Sequence, residues 1–186
     1  MNINCYKRPG GEARFIHQKR RTVDDMVKKE TPKQIIVHAG TECHVTPPDV
    51  AERMAEYLGH VGHLLEPSAG TGNLILSAGH NKITAIELNY ELGKIIKDRT
   101  NVNTIQADFL EWEGGNFDGV LMNPPFSKVK KHVLRAFNML VDGGSLVALV
   151  PITFDETVIG GEVLEVLPID TFAACKVNTK TIMAIK

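Results

Sequence analysis

Residues 63–73, His63-Leu64-Leu65-Glu66-Pro67-Ser68-Ala69-Gly70-Thr71-Gly72-Asn73, carry a short apolar stretch straight into a loop of small residues that opens a helix-like segment. The apolar part reads as a buried strand, being too short for a helix and bounded by turn-forming residues. Pro67 and the two glycines end it, and their backbone can turn sharply and approach a ligand with no Cβ atoms in the way. A strand, a tight loop and a helix in this order form half of a parallel β-α-β unit. In open parallel sheets, ligands bind outside the carboxyl ends of the strands.

Outward from this stretch the pattern repeats. Strand-like runs lie at His63–Glu66, Ile83–Glu87, Val102–Gln106, Phe117–Met122 and Ser145–Val150. Helix-like segments separate them at Gly72–Ala78, Tyr90–Asp98 and Lys128–Leu140, the last with Val129, Val133, Ala136, Phe137 and Leu140 on one face. Upstream, Thr46-Pro47-Pro48-Asp49 has the makings of a helix start: a Thr cap, Pro at the first helical position and an acid in the first turn. Val50, Met54, Tyr57 and Leu58 follow at helical spacing, and Gly59 stops the helix. Two further strand candidates, Glu162–Leu167 and Thr179–Ile185, suit an antiparallel hairpin at one sheet edge. The expected fold class is α/β, a mostly parallel seven-stranded sheet with helices on both faces.

At 186 residues, 43% apolar and 23% charged, the composition is that of one ordinary globular domain. No apolar run approaches the roughly 20 residues that span a bilayer. The first ten residues do not read as a signal peptide, so a cytoplasmic setting is expected. Cys5, Cys43 and Cys175 are odd in number and widely spaced, which argues against a disulfide framework. His38, Cys43, His44, His60 and His63 lack the paired spacing of a metal centre, and none is expected. The net charge of −1 conceals an asymmetry. Residues 1–33 hold nine basic side chains against four acidic ones, leaving twelve and eighteen in the remainder. They read as a basic N-terminal extension, with a short helix around Thr22–Glu30, ahead of a body that begins near Gln34. Such an arm suits either a polyanion or plain solvation.

Four segments at strand carboxyl ends carry the chemistry. In Glu66-Pro67-Ser68-Ala69-Gly70-Thr71-Gly72-Asn73, Ile75 stands where a dinucleotide fingerprint needs its third glycine, and Glu66 would repel a pyrophosphate while tolerating a cationic ligand. Glu87, 17 residues after Gly70, is placed to accept both ribose hydroxyls of an adenosine moiety. Asp108 is suited to accept from an adenine amine, with Phe109 packed against the ring. In Asn123-Pro124-Pro125-Phe126 the prolines fix φ and remove two donors. The Asn123 and Pro124 carbonyls then accept both hydrogens of a planar amine, and Phe126 stacks on the ring that bears it. No strong general base is evident, and a proton lost after transfer needs none.

From Thr46 to about Val150, and more loosely through Phe172 and residues 178–185, the chain resembles the class I S-adenosylmethionine-dependent methyltransferases, and within them the DNA adenine-N6 group. The resemblance implies a Rossmann-like domain over residues 34–186 that uses S-adenosyl-L-methionine. It implies that the loop from Glu66 to Asn73 contacts the methionine part, Glu87 the ribose, and Asp108 and Phe109 the adenine. Thr46 would help close the cofactor site, Asn123 would face both cofactor and substrate, and Asn123, Pro124, Pro125 and Phe126 would form the catalytic motif. The implied partner is nucleic acid, DNA ahead of RNA, with a base amine in RNA or a protein glutamine as alternatives. One departure stands out. Pro151–Gly161 is too short for the recognition region usual in this group, so base-sequence reading would fall to the N-terminal arm or a second subunit, or specificity would be loose.

Overall fold

The computed structural model describes residues 3–6, 14–17, 43–79, 82–172 and 177–186. The expected helix at Thr22–Glu30 and the start of the body at Gln34 fall outside them. Within the N-terminal extension, Ile3–Tyr6 (β1) and Arg14–His17 (β2) form an antiparallel pair. The sequence pattern assigned no strand there.

The body is a seven-stranded sheet. Its strands are Leu64–Glu66 (β3), Ile83–Ile86 (β4), Thr104–Ile105 (β5), Phe117–Met122 (β6), Leu140–Pro151 (β7), Glu162–Leu167 (β8) and Thr179–Ile185 (β9), in the spatial order β5-β4-β3-β6-β7-β9-β8. Pairings from β5 through β7 are parallel, and β9 lies antiparallel between β7 and β8. The tail hairpin expected from the sequence is thus present, with its second strand inserted next to β7. The order reverses between β3 and β6, so the loops following these two strands meet at the switch point where α/β sheets bind ligands.

Alternation along the central strands fixes the two faces. Val120 and Met122 of β6, with Leu146, Ala148 and Val150 of β7, join one core cluster under Val133 and Ala136. Those two belong to Val129–Asn138 (α4). Leu121, Val147 and Leu149 point the other way, against Val50, Ala51, Met54 and Leu58 of Pro48–Leu58 (α1). Asn73–Ala78 (α2) packs beside α1, and Tyr90–Thr100 (α3) packs on the far side of α2, with Ile75 and Ile96 meeting over Ala85. Full burial of each large apolar side chain stabilises by about 1.5–3 kcal/mol, so these two clusters hold the sheet.

Element ends differ from the sequence reading for local reasons. β7 begins at Leu140 instead of Ser145, because residues 141–144 bulge out between the pairings Phe117–Leu140 and Gly119–Ser145. Gly143, at φ +79°, supplies the left-handed turn this requires. α4 accordingly stops at Asn138, short of Leu140, and follows a 3₁₀ turn at Phe126–Lys128. Thr46 does not cap α1. Pro47 is the N-cap and no side chain bonds there, since the Thr46 hydroxyl is engaged by the side chain of Asn123.

Arg135 is also redirected. It follows the exposed Lys128, Lys130 and Lys131 along the chain, but its guanidinium turns inward and donates to the carbonyls of Phe109 (2.9 Å) and Trp112. It thereby clamps the turn after β5 to α4. Charged hydrogen bonds of this kind contribute about 1.5–3 kcal/mol each. Replacing Arg135 with Met, which keeps the stem and drops the guanidinium, should lower the unfolding free energy by about 1–3 kcal/mol in urea titration. An unchanged midpoint and slope would remove the clamp from this account.

Candidate active site

The loops following β3, β4, β5 and β6 open onto one cleft, which residues 43–46 also line. Of the residues singled out in the sequence, Thr46, Pro67, Ser68, Ala69, Gly70, Asn73, Glu87, Asp108, Phe109, Asn123, Pro124 and Pro125 line it. Glu66, Gly72 and Phe126 do not. Glu66 is buried beside the loop at 1% exposure, and Gly72 is the left-handed N-cap of α2. Phe126 is stacked at 4.4 Å on the ring of His44, and His44 is the one that lines the cleft.

The loop from Pro67 to Asn73 owes its shape to Gly70 and Gly72, at φ +55° and +81°, where an L side chain would be strained. Three anchors hold it. The Gly70 amide donates to Glu87 Oε2 at 2.7 Å, and the Ser68 amide donates to Glu66 Oε1 at 3.1 Å. Arg99, near the end of α3, donates to Thr71 O and, at 2.8 Å, to Asn73 Oδ1. Asn73 Nδ2 then donates to Thr46 O at 2.7 Å, tying the loop to residues 43–47.

Those residues are tied in turn to the loop after β6. Asn123 Nδ2 donates to His44 O at 2.6 Å and to Thr46 Oγ1 at 3.0 Å. Because a backbone carbonyl can only accept, the first bond fixes which end of the amide is nitrogen. Asn123 Oδ1 is therefore turned away from these partners, and it is buried with no hydrogen-bond partner. Such an orphaned acceptor costs about 1–3 kcal/mol, and native structures keep few of them without a use.

Glu87 is 7% exposed; besides the Gly70 amide, it accepts the Asn89 amide through Oε1 at 2.8 Å. Asn89 itself caps α3, accepting from the Glu91 and Leu92 amides, so Glu87 is not needed as a cap. Burial pushes the Glu87 carboxyl up to about 7, against the pull of three backbone amides. Burial pushes Glu66 further, to about 8, with the nearby charge of Glu87 adding to it. Glu66 is thus largely neutral near pH 7. The repulsion of pyrophosphate assigned to it from the sequence is not delivered by a standing charge. At the far end of the cleft Asp108 Oδ1 accepts the Leu110 amide at 2.8 Å, with Phe109 buried beside it.

Sequence reasoning missed Arg99, His44 and His132. Arg99 lies in an ordinary helix end, and no local pattern marks it as a loop anchor. His132 sits on α4, 5% exposed, and lines the cleft near Asp108 and Phe109. Its helical spacing merges with the apolar face of α4, which hid it.

No family model matches the chain. It is 32% identical over 93 residues to the modification methylase CviBIII of Paramecium bursaria Chlorella virus NC1A, covering 44% of this chain and 25% of that protein. It is 26% identical over 147 residues to the type II restriction enzyme and methyltransferase RM.BcgI of Heyndrickxia coagulans, covering 58% and 23%. The chain thus spans about a quarter of the length of these curated relatives. Among solved structures, the 23S rRNA methyltransferase ErmE superposes with a TM-score of 0.63 at 17% identity, covering 74% of this chain and 67% of that one. The fold is therefore that of the class I, Rossmann-like methyltransferases. Among the described residues no helix is long and apolar enough to cross a membrane.

Two buried carboxyls with raised pKa values give a signed pH dependence. The folded state holds protons that the unfolded chain releases near pH 4.5. Stability from these groups is complete below pH 4.5, declines as pH rises, and is lost above about 8. The unliganded protein should melt at a higher temperature at pH 6 than at pH 8.5, and Glu66→Gln should flatten that difference. A wild-type melting temperature that rises over this interval would contradict the assigned burial.

Proposed function

We propose that the chain binds S-adenosyl-L-methionine in this cleft and transfers its methyl group to the exocyclic N6 amine of adenine in nucleic acid, with DNA ahead of RNA. The observation that carries the reading is the buried, unpartnered Asn123 Oδ1, held in place by the two bonds of its own Nδ2 and followed by two prolines. A planar amine is the complement such an acceptor lacks. The likeness to CviBIII and RM.BcgI supports DNA as the substrate class, and the charge asymmetry of the chain supports a polyanion.

The residues present fit the cofactor. Glu87 Oε2 accepts the Gly70 amide and Oε1 the Asn89 amide, with the Leu88 amide beside them, and the four lone-pair sites of a carboxylate leave capacity for a ribose hydroxyl. Asp108 Oδ1 accepts the Leu110 amide, which leaves Oδ2 to serve the adenine amine, with Phe109 against the ring. Pro67, Ser68, Ala69, Gly70 and Asn73 hold the methionine part, while Glu66 and Gly72 support the loop from below. Thr46 closes the side nearest Asn123.

When bound, the cofactor supplies an electrophilic methyl on a sulfonium. Asn123 Oδ1 and the Pro124 carbonyl accept the two hydrogens of the target amine, drawing electron density onto its nitrogen and aligning it for in-line attack. Pro125 fixes the turn, and Phe126 supplies the aromatic wall behind His44. Oδ1 is sealed from water in this conformation, so admitting the amine requires a neighbouring side chain to move. Lys128, Lys130 and Lys131 are exposed on the turn and helix after the motif, placed for phosphate contact.

A cofactor-binding subunit that depends on a recognition partner is the second reading. It is favoured by residues 152–161, whose sole helical element is the 3₁₀ turn Glu156–Ile159, with nothing there shaped to enter a groove. Labelled cofactor offered with unmethylated duplex DNA, single-stranded DNA and total RNA separates these readings once digested nucleosides are identified. Labelled N6-methyldeoxyadenosine is expected; label only after a co-purifying protein is added would favour the subunit reading. Asn123→Ala should cut kcat by about 10²–10³ while cofactor affinity stays within about threefold. Full turnover in that variant would end the role assigned to Asn123. Lys130→Ala with Lys131→Ala should weaken DNA binding uniformly across sequences. It should also lower the slope of log affinity against log salt by about one unit for each phosphate no longer neutralised. An unchanged slope would show that this face does not touch the backbone.

A further inference from the structure

His132 is absent from every expectation above, yet it is a nine-tenths buried polar side chain in the wall of the cleft. Its Nδ1 lies 3.1 Å from the Lys128 carbonyl, one helical turn back. A carbonyl only accepts, so in the neutral ring Nδ1 carries the hydrogen and Nε2 is a bare acceptor. Among the described residues no group donates to Nε2. The ring stands 5.7 Å from that of Phe109, beside Asp108, which places it at the end of the cleft assigned to the cofactor's adenine.

We propose that His132 is a specificity-determining residue for the cofactor, its unprotonated Nε2 accepting a hydrogen bond from the adenine exocyclic amine. The inference rests on the S-adenosylmethionine reading of the cleft. Asp108 takes one amine hydrogen and His132 the other, so the site distinguishes an adenine ring, with two hydrogens to donate, from a ring bearing a carbonyl oxygen there. That oxygen would face two acceptors and no donor.

The arrangement also sets a pH limit. Protonation turns Nε2 from acceptor to donor and abolishes the hydrogen bond. Burial holds the His132 pKa below its ordinary 6.5; the Lys128 backbone bond and Asp108 oppose that shift, and the Lys128 charge adds to it. Glu87 lies elsewhere on the same cleft, and Arg135 on the same helix is committed to the Phe109 and Trp112 carbonyls. The hydrogen bond is therefore intact at neutral pH and broken on acidification.

The test is calorimetric binding of S-adenosylhomocysteine and its inosine counterpart to the wild type, His132→Leu and His132→Gln. At pH 7.5 His132→Leu should weaken the adenosine ligand about five- to tenfold and the inosine ligand little, while His132→Gln, whose amide oxygen restores an acceptor, stays within about threefold of wild type. A purely structural role would weaken both ligands alike. As the pH is lowered from 7.5 until the His132 ring takes up its proton, followed by its NMR signals, the wild type should lose several-fold more affinity than His132→Gln. Glu87 titrates in both proteins and cancels in that comparison, which stands even if His132→Leu fails to fold. Equal discrimination in His132→Leu, or parallel pH profiles for wild type and His132→Gln, overturns the role of His132 alone. A wild type that binds neither ligand overturns the cofactor reading and this inference with it.

Discussion

Two side-chain amides govern the arrangement of the cleft. Asn73 grips the Thr46 carbonyl from the β3 loop, and Asn123 grips the His44 carbonyl and the Thr46 hydroxyl from the β6 loop. Loops at the carboxyl edge of a parallel sheet share no ladder of hydrogen bonds, so something else must fix their spacing. Residues 43–47 serve as that spacer, stiffened by Pro47 and carried by α1, whose buried face is anchored in the core. Arg99 extends the chain of contacts to α3. The orphaned Asn123 oxygen follows directly: with both amide hydrogens committed to residues 44 and 46, the oxygen can only point the other way.

The same edge is where the protein gives up stability. Two carboxyls lie buried there, one Glu66 oxygen has no partner, and the Asn123 oxygen has none either. Away from the edge, the central strands present alternating apolar side chains to two closed clusters. Of the three buried unpaired side-chain atoms among the described residues, two lie at this edge and the third is Thr179 Oγ1 on β9. Perturbed titratable groups and unpaired acceptors gathered around a cleft are the usual signature of a site kept for binding or chemistry. The carboxyls answer differently to a cationic ligand. Glu87 lines the cleft and can regain its charge beside one. Glu66 sits out of contact, and its proton is retained by burial.

What the sequence made legible was whatever depends on local pattern. Val120, Leu121 and Met122 alternate between the two cores, and α3 starts at Tyr90 as its pattern indicated. The four loops converge because they share a topological position that strand order alone dictates. What stayed hidden depends on long-range pairing. Nothing near Arg135 says that two carbonyls from another loop await it, and nothing near Thr46 says that Asn123, 77 positions on, outcompetes the helix for its hydroxyl. Asp142, Gly143 and Gly144 concealed the start of β7, since a bulge breaks the apolar run that marks a strand. β5 was over-read by three residues because Val102, Asn103 and Gln106 continue the pattern but are unpaired in register.

Under the proposed function, transfer and sequence reading become separable demands on the chain. Holding an amine against a methyl donor needs two acceptors and a rigid turn, which the loop after β6 supplies, and an aromatic wall, which His44 presents with Phe126 stacked behind it. Reading a base sequence needs an element that reaches base edges in a groove, and the connection from β7 to β8 offers one 3₁₀ turn. Exposed lysines after the motif can hold phosphates, but phosphate contacts position a duplex without reading it. Flipping an adenine out of a duplex costs a few kcal/mol that groove contacts ordinarily offset. A core with backbone contacts alone therefore favours bases that are already unpaired, in single strands or at mismatches. Preference for a defined duplex site would have to come from residues other than those that build the cleft.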